Sequence, residues 1–456
     1  MDAQGKVNGN QRGQIVVGID VGTTKIAVFI GEKDQEGKVH IIGMGKTESI
    51  GVQNGEVTGI TQTADSIKKA VKMAEDQANY TVTECYVGVA GHNISNSKQR
   101  GTMIIKEEDH IISQEDIDKL LEDQYSISIA PGFSIIDIIP QDYIIDGVSG
   151  IFDPVGRRGK TLECNYNIIS GDERNIHNIH MAVEMAGYKV KNLIMEPIAS
   201  AEAVVFDDEK SAGICLVDIG GGTTDMAIFK EGILKHIAVI QLAGNAITMD
   251  IKDGCKILQN QAEALKTKYG DCLLNEKQKN VVIQIPGLRG RESREITLYM
   301  LSQLIRARVE MILDQVDYEL KNEDQGDGLL AGIVITGGGS KMPHIAQFTE
   351  YITGIPTRVG GPQTTNLYDE QKEFNDPTYS TGIGLVLKGF LNEPEFIPEE
   401  TTEAYETTPA AEQIEKKETP KKKEAKKAKQ PKDKSKSSFV DKVTTWINKV
   451  LNDTIE

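Results

Sequence analysis

The chain has 456 residues and a formal net charge of −17, with 39% hydrophobic and 26% charged residues. This composition is ordinary for a globular protein of two to four domains, and the negative charge argues against nucleic-acid binding by its body. The five cysteines lack CxxC spacing, which predicts reduced thiols and no disulfide framework or zinc site. No stretch approaches the ~18–20 apolar residues of a membrane span.

The first structured element is a β-hairpin with a glycine turn. Residues 15–29 read IVVGIDVGTTKIAVF, in which two apolar runs flank the turn. We expect glycine there because the bend needs a positive φ, and the turn leaves N–H groups and hydroxyls free for phosphate oxygens. The candidate phosphate ligands are Gly22, Thr23, Thr24 and Lys25, although Lys25 can also be a solvated strand lysine. Asp20, at the end of the first strand, can hold hydrated Mg²⁺.

Residues 92–167 change character and predict a small inserted α/β subdomain. Before them, the pattern predicts strands, a helix over 61–78 and a closing strand. The insertion itself predicts a helix over 113–124 with Ser113 as its N-cap, and then a strand pair in which Pro140 favours an edge position.

The next segment, residues 175–205, reads as helix, strand, helix. Glu196 begins the second of these helices. It can orient an attacking water, or it can be a carboxylate favoured by the helix dipole.

A second hairpin, residues 213–229, nearly copies the first and reads GICLVDIGGGTTDMAIF. Asp218 takes the metal role here, and the phosphate ligands are Gly220, Gly221, Gly222, Thr223 and Thr224. Two such hairpins imply two similar half-domains that face each other across a cleft.

The region after the second hairpin predicts helix over 245–270, extended chain over 275–290 and a long amphipathic helix over 293–322 whose stripe includes Ile296. Glu263 and Lys266 lie one helical turn apart, which suits ribose hydroxyls and adenine edges or, alternatively, a surface ion pair. Three arginines can form a basic patch for an acidic peptide, or they can be ordinary surface residues; they are Arg289, Arg291 and Arg294.

The final part of the body is a strand that ends in ITGGGS, followed by a closing helix over 379–390. Glycines in this turn let a base and ribose approach the backbone, or they make a simple tight turn. The candidate residues of this turn are Gly337, Gly338, Gly339 and Ser340.

The tail holds an acidic, Thr-rich segment and a Lys-rich segment over 415–436, both of which predict disorder. A terminal amphipathic helix follows, with Ser438 and Asp441 as a capping box. Its apolar stripe consists of Phe439, Val440, Val443, Trp446, Ile447, Val450 and Leu451. A stripe with Trp and Lys suits an anionic membrane surface, with docking on the body or on a partner as the alternative.

Five motifs in order resemble the actin, heat-shock-chaperone and sugar-kinase ATPase superfamily: GIDVGTTK, MEPIASAEAV, VDIGGGTTD, ITGGGS and STGIGLVL. The insertion, the segment QLAGNAITMDI and the tail plan resemble the FtsA family of bacterial actin-like cell division proteins in particular. The Lys-rich linker is longer than that family leads one to expect.

The resemblance implies a two-lobed, actin-like α/β ATPase fold with an FtsA-type insertion. It divides the chain into a disordered N-terminus (1–13), subdomain IA (14–91, 168–205 and the closing helix 369–390), subdomain IC (92–167), subdomain IIA (206–244 and 315–368), subdomain IIB (245–314), a disordered charged linker (391–437) and a membrane-targeting helix (438–456).

The function implied by the resemblance is a scaffold that binds ATP and Mg²⁺, forms filaments with itself and has at most slow ATPase activity. Such a protein binds the FtsZ C-terminal peptide through subdomain IIB, and other divisome proteins are further candidate partners. It tethers FtsZ filaments to the cytoplasmic face of the inner membrane at the division site. The alternatives are an actin-like pilus-assembly or cell-shape ATPase and a small-molecule kinase; a heat-shock chaperone would need a β-rich domain after residue 390.

Overall fold

A computed structural model of the chain describes residues 13–91, 94–106, 109–273, 278–287, 292–322, 328–363, 367–368 and 374–393. The chain divides into two units, Met1–Asn392 and Glu393–Glu456, and the described residues belong almost wholly to the first. Residues 391 and 392, predicted as the start of the linker, instead end the last described helix, Ser380–Asn392. The rest of the predicted linker beyond Glu393 and the predicted terminal helix lie outside the described residues. The predicted subdomain boundaries stay a prediction.

The first lobe is a mixed five-stranded sheet with helices on both faces. In sheet order its strands are β11 (Lys189–Met195), β6 (Glu84–Val89), β1 (Gln14–Val21), β2 (Lys25–Lys33) and β3 (Val39–Glu48). Helices α1 (Ile60–Ala78) and α3 (Glu173–Ala186) pack against each other on one side, and α10 (Ser380–Asn392) packs on β1 and β2. A short ribbon of β4 (Val52–Gln53) and β5 (Glu56–Val57) precedes α1.

The insertion folds as its own four-stranded sheet. In sheet order the strands are β7 (Ser95–Ile104), β10 (Thr161–Asp172), β8 (Phe133–Ile145) and β9 (Val148–Ile151), and α2 (Gln114–Gln124) packs on β7. The prediction of Ser113 as an N-cap is confirmed, because Ser113 and Asp116 form a reciprocal capping box.

The predicted strand pair around Pro140 is wrong, because β8 runs through this segment as a single strand. A register shift between its pairs with Asn165 and Tyr166 lets the strand bend at Pro140. Pro140 still lies at a local edge, since β9 pairs with β8 only from Tyr143 onward.

The second lobe repeats the sheet plan of the first. In sheet order its strands are β14 (Ile233–Ile240), β13 (Thr224–Lys230), β12 (Ile214–Ile219), β17 (Gly332–Thr336) and β18 (Thr357–Val359). The helices of this part are α5 (Asp207–Ala212), α6 (Gly244–Cys255), α7 (Gln259–Tyr269), α8 (Leu298–Lys321) and α9 (Ile345–Thr353), and a ribbon of β15 (Val282–Ile285) and β16 (Arg294–Thr297) precedes α8.

Two helix predictions in this lobe need correction. The single helix expected over 245–270 is two helices, because Lys256 adopts a left-handed conformation with φ 51° and ends α6. The long helix expected from residue 293 begins at Leu298, since Thr297 caps it through a bond from the N–H of Met300. Ile296 is buried in the core as expected, but it belongs to β16.

The two lobes meet along α10 and α4 (Glu196–Val204), which cross at their small residues. A Cβ atom added to Gly384 would lie 1.7 Å from the carbonyl oxygen of Ala199, so the helices approach as closely as their backbones allow. No helix in the described part of the chain is long and apolar enough to cross a membrane.

Candidate functional site

A cleft of about 720 Å³ lies between the two lobes, and both hairpin turns line it. This volume is within the range of small-molecule sites. Most of the residues singled out in the sequence contribute to its wall. They are Asp20, Gly22, Thr23, Thr24, Lys25, Glu196, Asp218, Gly220, Gly221, Gly222, Thr223, Glu263, Lys266, Gly337, Gly338 and Gly339.

The two glycine turns touch each other across the cleft. A Cβ atom on Gly221 would lie 2.4 Å from the Thr24 side chain, and one on Gly222 would lie 2.4 Å from Oγ1 of Thr23. The expected positive φ at these glycines is wrong, since none of those in the two turns has one. Gly221 and Gly222 are needed because the lobes approach too closely there for a side chain, whereas Gly22 and Gly220 meet the backbone of their own turns.

The second turn offers free backbone donors. The N–H groups of Gly221 and Gly222 have no hydrogen-bond partner among the described residues, while their neighbour Gly220 donates to the carbonyl of Thr223. The start of α6 holds this turn in place, because the N–H groups of Gly244 and Asn245 donate to the carbonyls of Gly220 and Gly221. Donors fixed in this way can bind an anion without reorganisation.

A third element, which sequence reasoning did not assign to the site, also contacts the two turns. The tip of the β4–β5 ribbon is Asn54-Gly55, where the N–H of Gly55 donates to Oγ1 of Thr23 at 2.9 Å. Both tip residues have positive φ, 48° and 77°. The signal was present in the sequence, since Asn-Gly between short strands favours a type I′ turn.

Acidic side chains gather beneath the turns around one lysine. Lys25 forms an ion pair with Asp20 at 2.9 Å. Asp218 accepts hydrogen bonds from Ser200 on α4 at 2.6 Å and from Thr381 on α10 at 3.2 Å. The helices that join the lobes therefore orient this carboxylate, and Glu196 at the start of α4 lines the same space.

Asp225 is the member of this cluster that sequence reasoning missed. It is buried, it accepts a hydrogen bond from the Thr223 hydroxyl at 3.0 Å, and its Oδ1 atom has no partner among the described residues. The hairpin register could have revealed it, because Asp225 lies directly opposite Asp218. The equivalent pair in the first hairpin is Asp20 and Ala27, so only the second hairpin has facing carboxylates.

The electrostatics of this cluster favour an added cation. Burial raises the pKa of Glu196 well above its usual value, and the charges of Asp20, Asp225 and Asp218 raise it further. Burial likewise raises the pKa of Asp218 and of Asp225. Burial alone would lower the pKa of Lys25, but the charge and hydrogen bond of Asp20 outweigh it and raise this pKa.

The carboxylates fit a hydrated divalent cation better than a directly ligated one. Within the described ranges, no three acidic, histidine or cysteine side chains converge closely enough to hold a metal ion. Mg²⁺ commonly keeps several of its waters and binds through one or two carboxylates and substrate phosphates. The unpartnered oxygen of Asp225 can accept a hydrogen bond from such a water.

In the wall formed by the second lobe, Glu263 and Lys266 form an ion pair on α7 at 2.8 Å. This is the alternative considered for these residues, but the pair also lines the cleft. Lys266 donates to the carbonyl of Gly244 at 2.9 Å and to the Thr248 hydroxyl at 2.8 Å. It therefore fastens α7 to the start of α6.

The turn after β17 has glycines for two different reasons. Gly337 has φ +80°, and a Cβ atom there would lie 2.1 Å from Oδ1 of Asp218; a Cβ on Gly339 would lie 2.3 Å from the side chain of Ile219. These two glycines let the turn pack on the end of β12. Gly338 has nothing within 4 Å of its Cβ position, so it alone leaves open space for a planar group.

Two singled-out residues do not line the cleft with the others. The hydroxyl of Thr224 donates to the carbonyl of Leu242 at 2.7 Å, and that of Ser340 donates to the carbonyl of Gly337 at 2.7 Å. Both side chains are buried and satisfy backbone carbonyls.

The predicted partner and membrane sites are largely outside the described residues. Arg294 begins β16 and donates to the carbonyl of Cys255 at 3.2 Å, at the end of α6. Arg289 and Arg291 lie outside the described ranges, as does the whole apolar stripe from Phe439 to Leu451.

Comparison with known proteins agrees with this architecture. The family model for cell division protein FtsA matches residues 215–384, and the model for the SHS2 domain inserted in FtsA matches residues 91–170. The second match coincides with the inserted sheet. Among solved structures, the PilM-PilN type IV pilus biogenesis complex superposes with a TM-score of 0.60 at 14% identity, covering 83% of this chain and 99% of that one. That similarity shows an actin-like fold and nothing about function.

Curated relatives share most of the chain. The FtsA cell division protein of Neisseria meningitidis serogroup B is 36% identical over 383 residues, which cover 83% of this chain and 92% of the relative. The FtsA proteins of Escherichia coli K12 and Bacillus subtilis 168 are 33% and 31% identical, with 82% of this chain covered in each case and 90% and 83% of the relatives. The chain belongs to the FtsA family of cell division proteins.

Proposed function

We propose that this protein binds ATP with Mg²⁺ in the cleft, assembles with copies of itself into filaments and links FtsZ filaments to the cytoplasmic face of the membrane at the division site. The observation that carries the nucleotide part is the meeting of two glycine turns above a cluster of buried carboxylates with one lysine. Free N–H donors beside carboxylates suit a phosphate chain that arrives with a divalent cation.

Each part of the cleft has a role in this proposal. The N–H groups of Gly221 and Gly222 and the hydroxyl of Thr23 hold phosphate oxygens, and Lys25 neutralises their charge. Asp20, Asp218 and Asp225 bind water ligands of Mg²⁺, which neutralises phosphate charge when bound. The base and ribose lie near Gly338 and the Glu263–Lys266 pair.

ATP turnover, where it occurs, relies on Glu196. Burial and the neighbouring acids raise the pKa of this carboxyl, and a cation nearby favours its ionised form. The ionised carboxylate can then accept a hydrogen bond from a water and orient it. We propose slow turnover, with the nucleotide acting chiefly to order the two lobes.

Two further segments, one in the second lobe and one at the end of the tail, connect the protein to its surroundings in this proposal. The arginine-rich segment at Arg289, Arg291 and Arg294 receives the acidic C-terminal peptide of FtsZ. The stripe from Phe439 to Leu451 enters the headgroup region of an anionic membrane, and filament formation makes many weak helices bind avidly.

Direct nucleotide binding tests the first part. Fluorescent ATP and Mg²⁺ titrated into the full chain should give saturable binding, which the variant Lys25→Ala should weaken because the charge of Lys25 is lost. The matched control is Lys68→Ala, which removes an exposed lysine on α1. Absence of binding by the unmodified protein would refute the nucleotide proposal.

Co-sedimentation with anionic liposomes in the presence of ATP tests the tether. The full chain should pellet with the vesicles, whereas a chain that ends at Ser437 should stay in the supernatant. Equal behaviour of the two proteins would contradict a membrane role for the terminal helix and direct attention to a protein partner.

A further inference from the structure

Three amide side chains of the inserted sheet bind one edge strand of the second lobe. Gln141 on β8 donates to the carbonyl of Leu234 at 2.9 Å, and Asn167 on β10 donates to that of Lys235 at 3.4 Å. Asn96 on β7 donates to the carbonyl of Ile237. All three carbonyls belong to β14, so three strands of the insertion converge on a single strand.

The inserted sheet has two faces with different chemistry, and the amides belong to the face turned toward the lobes. Along β10, Tyr166 and Ile168 point into the subdomain's own core, whereas Ile169 joins the core of the lobes. Leu234 and Ile237 of β14 join that same core. Apolar packing and amide bonds therefore act together at this contact.

The amide contacts are only half satisfied. The Oδ1 atoms of Asn96 and Asn167 are buried and have no partner among the described residues. Unpaired buried acceptors cost free energy, so a small shift of β14 that offered them an N–H group would recover part of that cost. The energy of this contact therefore depends on the position of β14 more sharply than the energy of an apolar contact would.

We propose that Asn96, Gln141 and Asn167 form a latch through which the inserted subdomain senses closure of the cleft. The insertion is joined covalently to the first lobe, through β6 and α3, while the latch holds it to the second. Any rotation of one lobe against the other must break the latch or carry the inserted sheet with β14. By linkage, the latch and the nucleotide then influence each other equally.

The direction follows from the present state of the cleft. The two glycine turns touch while the three amide bonds are made, so the latch favours the arrangement in which both turns can hold one ligand. Weakening the latch should favour opening and release a bound nucleotide faster. This inference rests on the nucleotide binding proposed above.

The test measures dissociation of a fluorescent ATP analogue, with Mg²⁺, from the full chain. The triple variant Asn96→Ala, Gln141→Ala, Asn167→Ala should raise the dissociation rate by about 5-fold or more, the lower end of typical coupling between sites. The single variant Gln141→Ala, at a half-buried position, should show a smaller rise and serves if the triple variant does not fold.

Asn165→Ala is the matched control. Asn165 lies on the same strand and the same face as Asn167, but its amide donates within the insertion, to Asp142 at 2.9 Å. Asn165→Ala removes this bond and the one that Asn165 accepts from Arg100 at 2.9 Å, both within the insertion. Neither touches β14, so the dissociation rate should stay unchanged.

Amide hydrogen exchange gives an independent readout. Exchange in β14 should slow when ATP is added to the unmodified protein, and this response should disappear in the latch variant. If the unmodified protein binds no nucleotide, the proposed function fails. If it binds and the latch variants dissociate at the rate of Asn165→Ala, the latch is refuted.

Discussion

At the scale of single residues, the buried acids of the cleft should make the nucleotide-free protein sensitive to pH. Burial raises the pKa of Asp225 from the usual 3.8, and Asp218 beside it adds to the rise. The folded state then holds this proton more tightly than the unfolded chain does. The free energy of unfolding therefore falls as the pH rises from about 4 through the raised folded value.

The variant Asp225→Asn should flatten this pH dependence and stabilise the nucleotide-free protein at neutral pH. We expect a gain in the free energy of unfolding, because the amide removes a buried charge that burial and the neighbouring Asp218 disfavour. Thermal unfolding across pH 4–8 measures it. Asp76→Asn, which alters an exposed carboxylate in the surface pair with Lys72, should leave the slope as it is; an unchanged slope in Asp225→Asn would show that the cluster is not strained.

Glu196→Gln should separate binding from turnover. The amide oxygen is a weaker acceptor than a carboxylate and cannot take a proton from the water that it orients, so release of inorganic phosphate should fall by about 10²-fold or more. Binding of fluorescent ATP should persist, because Gln preserves the shape of the side chain. Glu202→Gln is the control on the same helix, since Glu202 pairs with Lys210 at 3.2 Å; equal turnover in both variants would exclude Glu196 from catalysis.

Two neighbouring glycines offer a matched comparison in the turn after β17. Gly337→Ala places a Cβ against the Asp218 carboxylate in a left-handed conformation, so we expect a loss of at least about 2 kcal/mol of stability and weak nucleotide binding. Gly338→Ala meets nothing within 4 Å and should unfold like the unmodified protein. Chemical denaturation distinguishes them, and equal midpoints would contradict the proposed packing.

The residue types in the sequence predicted most of the cleft wall, but they did not predict the reason for each glycine or the role of each side chain. The two hairpins are near repeats, which suffices to place Asp20 and Asp218 at corresponding positions. The repeat hides Asp225, because its counterpart Ala27 carries no charge. Thr224 fits the motif equally well, yet its hydroxyl donates to the backbone carbonyl of Leu242. The orientation of this side chain depends on tertiary packing, which the motif does not contain.

At the scale of elements, the crossing of α4 and α10 should tolerate no added atom. On an exposed helix face, Gly→Ala stabilises by up to ~1 kcal/mol. Gly384→Ala should instead lower the free energy of unfolding by about 3 kcal/mol or more, because the new methyl group would overlap the Ala199 carbonyl.

The measurement is the free energy of unfolding in urea. Leu391→Ala, at an exposed position near the end of the same helix, should change stability by no more than about 0.5 kcal/mol. If Gly384→Ala unfolded like this control, the close approach of the two helices would be wrong.

Element boundaries followed from sequence wherever local chemistry sets them. The capping box at Ser113 is local, so the start of α2 was predictable. The break between α6 and α7 was not, because Lys256 enters the left-handed region without the usual glycine. The strand at Arg294–Thr297 exists only through its pairing with β15, a contact that helical periodicity cannot reveal.

At the scale of the whole molecule, the proposal assigns nucleotide binding to the described body and membrane binding to the tail. The body carries the cleft, whose two halves are alike in fold but unlike in charge. Before the terminal stripe the tail has too few apolar residues to build a core, and its Lys-rich segment 415–436 has eleven lysines against four acidic residues. On an otherwise acidic protein, we expect this segment to attract anionic lipid and the predicted terminal helix to insert its apolar stripe, as the proposed tether requires.

Membrane binding should therefore contain two separable contributions. Near an anionic surface each lysine contributes roughly 1 kcal/mol at most, and salt screens this attraction, whereas burial of the apolar stripe is insensitive to salt. A variant with all eleven lysines of 415–436 replaced by Ser should bind anionic vesicles more weakly than the unmodified chain at low salt and equally at high salt.

Trp446→Glu should reduce binding at every salt concentration, because a carboxylate opposes insertion of the stripe. Co-sedimentation over a salt series measures both effects. Zwitterionic vesicles are the control, because the lysine variant and the unmodified chain should bind to them alike. If the lysine variant bound like the unmodified chain at low salt, the segment would be a spacer whose charge only keeps it extended.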